Sequence, residues 1–206
     1  TAAPGTDRPL HLIHRDVKPA NIRIGVEGAV KLLDFGVARS SRVNREAHTN
    51  TGHMVGSYLY MAPECLQENE FSRASDIFAL GATMYEALAG ERLFPDQSLR
   101  ELYVLVLKDD EYERYLDERL ARIEAPEGVE RLLRDMLARE SANRPSAPDV
   151  SRRCEDLVDA MKGPSLRRWC KARDWPATSS IPGMLDGRTI TEATMAATLR
   201  PDFAVT

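Results

Sequence analysis

The apolar positions of this chain change period once. Ile22, Ile24 and Val26 alternate with polar or small residues, Glu27-Gly28 marks a reversal, and Val30 to Leu33 runs back. A period of two around a glycine predicts a short β-hairpin. Residues 37–60 are polar and rich in Ser and Thr without any period, which predicts a loop. Beyond them the helical period dominates. Ile77, Leu80, Gly81, Met84, Tyr85 and Leu88 recur at helical spacing, while Phe78, Ala79, Ala82 and Ala87 leave almost no polar face. Such a helix is expected to be buried all round. Ser98 and Glu101 predict a capping box ahead of Leu99, Leu102, Tyr103 and Val106. Val129, Leu132, Leu133, Met136 and Leu137 predict a third helix. Val150, Cys154, Leu157, Val158 and Met161 predict a fourth, opened by Ser146 with Asp149 three residues on. The fold class is therefore α+β, mainly helical with one short hairpin.

At both ends the period fades. Thr1 to Pro9 reads as a loop. From Gly163 onward only Trp169 and Trp175 offer packing surface, and Pro176 to Thr206 combines Pro with many Ser and Thr, so residues 163–206 are expected to form a partly disordered tail behind a domain of 1–162. A chain of 206 residues with 43% hydrophobic content supports one such domain with a real core. A net charge of -4 and a pI near 5.7 give no footprint for nucleic acid. The charge-rich run Glu111 to Arg119 reads as a solvated helical face. No apolar stretch approaches the ~18 residues needed to span a membrane. Cys65, Cys154 and Cys170 are widely separated and outside any C-x-x-C, which favours reduced thiols and a cytoplasmic setting. His48 and His53 lack the Cys or carboxylate neighbours of a zinc site.

The chemistry is concentrated in three short motifs. His14-Arg15-Asp16-Val17-Lys18-Pro19-Ala20-Asn21 comes first, Asp34-Phe35-Gly36 second and Ala62-Pro63-Glu64 third. In order and spacing they fit a catalytic loop, a magnesium-binding loop and the end of an activation segment. Over about residues 10 to 160 the chain resembles the C-terminal lobe of a bacterial eukaryotic-like Ser/Thr protein kinase. The four predicted helices would then be the αF, αG, αH and αI helices of that lobe.

The resemblance implies a role for each residue. Asp16 would accept the proton of the substrate hydroxyl. Asn21 and Asp34, oxygen donors suited to a hard cation, would hold the Mg²⁺ that accompanies ATP. Lys18 would neutralise charge on the transferred phosphoryl group, and Ser57 would stand where the Ser/Thr class keeps a hydroxyl bonded to the base. Arg23 occupies the position beneath the adenine ring, where the family commonly has an apolar residue; its methylene stem could cover the ring while its head reaches water. Arg15 implies regulation by a phosphorylated activation segment, with Thr49 and Thr51 as the acceptors. Asp76 reads equally as a helix-start acid and as a partner of the catalytic-loop backbone. Glu64 and Arg144 would form a buried ion pair, His14 and Phe35 would pack in the spine joining the lobes, and Gly36 would complete the turn of the metal loop.

No G-x-G-x-x-G and no V-A-I-K occurs in the chain, and it begins at Thr1, so it reads as a fragment whose ATP-covering N-terminal lobe is supplied in cis or in trans. Alone it is expected to be inactive. Joined to that lobe, the implied reaction is ATP-dependent phosphorylation of Ser/Thr in protein substrates. The alternatives are a pseudokinase or docking module, and one half of a split kinase.

Overall fold

The computed structural model describes residues 12–34, 57–95, 97–126, 128–160 and 163–175. The expectations for Phe35, Gly36, His48, Thr49, Thr51, His53 and the 176–206 tail lie outside these residues. The compact unit to which the described elements belong runs Thr1–Lys171.

Strands β1 (Ile22–Ile24) and β2 (Val30–Leu32) pair antiparallel, Ile22 facing Leu32, Arg23 facing Lys31 and Ile24 facing Val30. Leu33 N–H continues the ladder to the Asn21 carbonyl at 2.8 Å. Asn21, just before β1, and Asp34, just after β2, therefore share one end of the hairpin. The opposite end is closed by Gly25 N–H to Ala29 O and Gly28 N–H to Gly25 O, with Gly28 in the left-handed region at φ 80°.

Among the described residues the helices are α1 (Pro63–Gln67), α2 (Arg73–Ala89), α3 (Leu99–Val106), α4 (Asp109–Leu120), α5 (Val129–Met136), α6 (Ala147–Ala160) and α7 (Leu166–Lys171). Short 3-10 turns stand at Pro19–Asn21, Ser57–Tyr60 and Ser141–Asn143. Helix α2 is the axis of the core. Ser72 opens it with a reciprocal capping box to Ser75, and Gly90 ends it in the left-handed conformation. Against α5 it packs closely enough that a Cβ on Gly81 would stand 3.1 Å from the Met136 Cβ. The expectation of burial all round is corrected: Phe78 and Tyr85 are fully buried, but Leu80 and Met84 are half-buried and Leu88 is exposed. The elements with most contact to α2 are α5 and the turns at 57–60 and 141–143, and these cover only part of its circumference.

The charged run at 111–119 is likewise more than a solvated face. Within α4, Tyr112, Leu116 and Leu120 recur every fourth residue and are buried, and the Tyr112 hydroxyl donates to Leu137 O at 2.7 Å, tying α4 to the end of α5. In α3 the capping box of Ser98 with Glu101 is present, Leu102 and Val106 are buried, and Leu99 and Tyr103 are exposed. Helix α6 buries Val150 and exposes Val158.

Candidate active site

The segment 12–21 has few backbone bonds of its own and is held from outside. Asp76, in the first turn of α2, accepts His14 N–H on one carboxylate oxygen at 2.7 Å and Arg15 N–H on the other at 2.8 Å. Asp76 thus lies at the helix start and also contacts the backbone of the 12–21 segment. Arg15 between these contacts sits at φ 68°, a left-handed conformation that costs a non-glycine residue energy and persists only where surroundings impose it. The buried His14 adds a contact from its Nε2 to Leu33 O at 3.0 Å and accepts Asp16 N–H on Nδ1 at 3.3 Å. One histidine thus ties the loop to the end of β2, next to Asp34. Asp34 shows the same strain, at φ 57°, and its side chain is exposed.

Four of the expected residues meet at one point. Lys18 Nζ lies 2.9 Å from Asp16 Oδ2 and donates to Ser57 Oγ at 2.8 Å. Asn21 Nδ2 donates to the Asp16 carbonyl at 2.7 Å and to Asp16 Oδ2 at 3.0 Å. The Asp16 carboxylate is thereby oriented by one ammonium and one amide. With its amide nitrogen turned to Asp16, Asn21 presents its side-chain carbonyl as the acceptor end. That oxygen and the Asp34 carboxylate, at one end of the hairpin, suit a hard divalent cation that takes few protein ligands and fills its remaining positions with water and phosphate. No cluster of three or more His, Cys, Asp or Glu residues suited to a metal stands among the described residues.

The other expected residues frame this point. Arg23 lies on the exposed side of β1 with its guanidinium turned back onto the carbonyls of Ala20 and Ile22, at 3.0 and 3.2 Å, rather than simply reaching water. Arg15 stacks its guanidinium 5.8 Å from the Phe71 ring centre. Arg144 pairs with Glu64 through two bonds, NH1 to Oε1 at 2.7 Å and NH2 to Oε2 at 2.8 Å. Its three further donors go to the carbonyls of Ala138, Ala74 and Arg139, so every N–H of a fully buried guanidinium is used.

Sequence reasoning missed the partners that fasten the segment between Ser57 and Glu64. The buried Tyr60 donates to Glu86 Oε2 at 2.5 Å, and its hydroxyl is pushed up to about 12, first by burial and then by Glu86. Tyr58 donates to Gln97 O at 3.2 Å. Each tyrosine was visible, but a hydroxyl's partner 26 or 39 residues away leaves no local signal. Behind the loop a cavity of about 20 Å³, room for one water, is lined by Arg15, Asp16, Ser57 and Asp76 together with Cys65, whose thiol is raised to about 11 by burial.

The protein kinase domain family matches residues 9–154. Serine/threonine-protein kinase A of Synechocystis is 32% identical over 200 residues, which cover 92% of this chain and 35% of that protein. PknB, a serine/threonine-protein kinase of Mycobacterium tuberculosis, is 41% identical over 87 residues, 42% of this chain and 14% of the relative. The tyrosine-protein kinase MasK of Myxococcus xanthus is 46% identical over 87 residues, 42% of this chain and 13% of the relative. The chain thus spans about a third or less of the curated relatives it matches. With Asp16, Lys18, Asn21 and Ser57 in mutual contact, Asn21 and Asp34 at one end of the hairpin, and the family model matching residues 9–154, this chain belongs to the protein kinase family.

Proposed function

We propose that this chain supplies the catalytic base, the Mg²⁺-binding residues and the activation segment for ATP-dependent phosphorylation of Ser/Thr hydroxyls on protein substrates. The observation that carries this reading is the joint contact of Asp16, Lys18, Asn21 and Ser57, with Asp34 across the hairpin end. Asp16 takes the hydroxyl proton and orients the attacking oxygen, which is why both of its neighbours bond its carboxylate. Lys18 is placed to move charge compensation toward the transferred group while Ser57 holds its ammonium from the other side. Asn21 and Asp34 hold Mg²⁺, and ATP with its Mg²⁺ supplies the phosphoryl group and neutralises its charge. Arg23 borders the adenine.

Arg15 is the receptor for a phosphate on Thr49 or Thr51, which would draw its guanidinium from Phe71. His14 and Phe35 pack between the lobes, Gly36 completes the metal-loop turn, Asp76 anchors the catalytic loop, and the Glu64–Arg144 pair is structural. The exposure of Ile24, Val30, Leu32 and Leu33 favours a further lobe on this hairpin, in cis or in trans. Among the described residues no helix is long and apolar enough to cross a membrane. A cytoplasmic setting, protein substrates and the absence of nucleic acid from the reaction complete the reading.

The test is phosphotransfer from radiolabelled ATP by the kinase that contains this chain, with Asp16→Asn as control and phosphoamino-acid analysis of the product. Mg²⁺-dependent phosphoserine or phosphothreonine, lost in the variant, is expected. Phosphotyrosine alone would transfer the tyrosine specificity in the name of the myxococcal relative to this chain. Substrate binding without transfer would establish the docking-module alternative. The 206-residue chain by itself is expected to transfer no phosphate, because it has neither the phosphate-covering loop nor its lysine.

A further inference from the structure

Helix α7 lies beyond residue 154, where the match to the kinase domain model ends. Its place in the structure is specific. Arg167 and Lys171, one helical turn apart and so on one face, both reach the Glu27 carboxylate, at 3.3 and 3.1 Å. The next residue, Gly28, meets the backbone of α7 so closely that a Cβ there would stand 2.7 Å from the Arg167 Cα and nitrogen. Backbone cannot retreat as the end of a flexible side chain can. Cys170 in the same helix is fully buried.

These contacts fall on the hairpin turn, at the end opposite Asn21 and Asp34. Apart from the His14 contact to Leu33 O at its other end, the hairpin itself is slight: each strand is three residues long, and β2 is exposed throughout. An isolated two-stranded hairpin is marginal in water, so a support at its turn governs its tilt. The ladder transmits that tilt through Ile24–Val30, Arg23–Lys31 and Ile22–Leu32 to the bond between Leu33 and Asn21.

We propose that α7 is a strap on the hairpin turn, and that Glu27 and Gly28 are positioning residues which, through the ladder, set the spacing of Asn21 and Asp34 for Mg²⁺-ATP. The proposal rests on the kinase reading. Its consequence is selective: loosening the strap raises KM for Mg²⁺-ATP while the Asp16 cluster, held by Asp76 and Ser57, keeps kcat.

The test compares four variants of the intact kinase that carries this chain: Glu27→Lys, the double reversal Arg167→Glu with Lys171→Glu, the triple combination, and Gly28→Asn. Hydrogen exchange at the amides of Gly25, Gly28 and Leu33 is read beside KM and kcat. Reversing either side turns two exposed attractions into repulsions, so exchange and KM are each expected to rise about tenfold. The triple variant restores both. Asn accepts a left-handed φ, so Gly28→Asn tests the approach of α7 rather than turn strain, and it too loosens the hairpin. Unchanged exchange in the double reversal, or looseness that the triple variant does not repair, overturns the strap. Faster exchange with unchanged KM overturns the positioning role. If the unaltered enzyme transfers no phosphate, the kinase reading falls, whereas the exchange comparison still decides the strap.

Discussion

Asp76 holds the backbone of His14 and Arg15 from about sixty residues away, with two consecutive amides on its two oxygens. Replacing it with Asn leaves one acceptor and turns an amide donor toward a backbone donor. Hydrogen bonds to charged groups contribute about 1.5 to 3 kcal/mol, so the strained Arg15 backbone should relax and turnover should fall by roughly ten- to a hundredfold. Circular dichroism should show the helices retained; unchanged kcat in Asp76→Asn would contradict the anchor. Asp16→Asn separates base from scaffold: it keeps the shape, removes proton acceptance and should lower kcat by about 10²- to 10⁴-fold with a small change in KM for ATP. Asp34→Asn should instead raise KM for Mg²⁺-ATP, measured by titrating Mg²⁺ at fixed nucleotide. Asp16, Lys18 and Asn21 could be picked out of the sequence because they stand within one eight-residue motif, and Ser57 because of its place ahead of Ala62-Pro63-Glu64. The attachments of the loop could not: Asp76 carried two readings, and the stacking of Arg15 on Phe71 depends on a ring 56 positions later.

At the scale of elements, legibility followed the strength of the period. Helix α2 announces itself because its seventeen residues carry a long apolar repeat, and the hairpin because alternating apolar residues flank a glycine turn, although its strands are largely exposed. The buried side of α4 hides, since eight of its twelve residues are charged and only Tyr112, Tyr115, Leu116 and Leu120 are apolar. The five residues of α1 and six of α7 are too short for any period to emerge. What joins such elements is chemistry between them. Arg144 and Glu64 fasten α1 to the stretch between α5 and α6, with Arg144 completely enclosed and 5.0 Å from the Phe78 ring centre. Removing one partner strands the other charge, so Glu64→Gln or Arg144→Met should destabilise by about 3 to 5 kcal/mol in urea unfolding. Replacing both with apolar residues of similar volume should cost distinctly less. A double replacement as damaging as the worse single one would show that geometry, rather than the stranded charge, sets the cost.

Across the whole molecule, tyrosine hydroxyls act as staples whose protons must stay in place. Tyr85 donates to Arg119 O, Tyr112 to Leu137 O and Tyr115 to Leu93 O, while Tyr60 donates to Glu86. Burial is the first cause that raises all four above the ordinary phenol value, with Tyr60 reaching about 12. The sign follows from proton counting. Between the unfolded value near 10 and the higher folded values, the native state binds more protons than the unfolded state, so stability falls as pH rises. Below pH 10 the contribution is complete, and for Tyr60 it is lost through the window from about 10 to 12. Denaturant midpoints are therefore expected to hold through neutral and mildly alkaline pH and to drop steeply above pH 10. Tyr112→Phe supplies the internal control. It keeps the ring in a site that is fully buried and deletes the proton, so it should lose about 1 kcal/mol at neutral pH and show a shallower alkaline decline. An alkaline slope equal to that of the unaltered chain would remove Tyr112 from the set of staples, and a midpoint flat to pH 12 would remove them all.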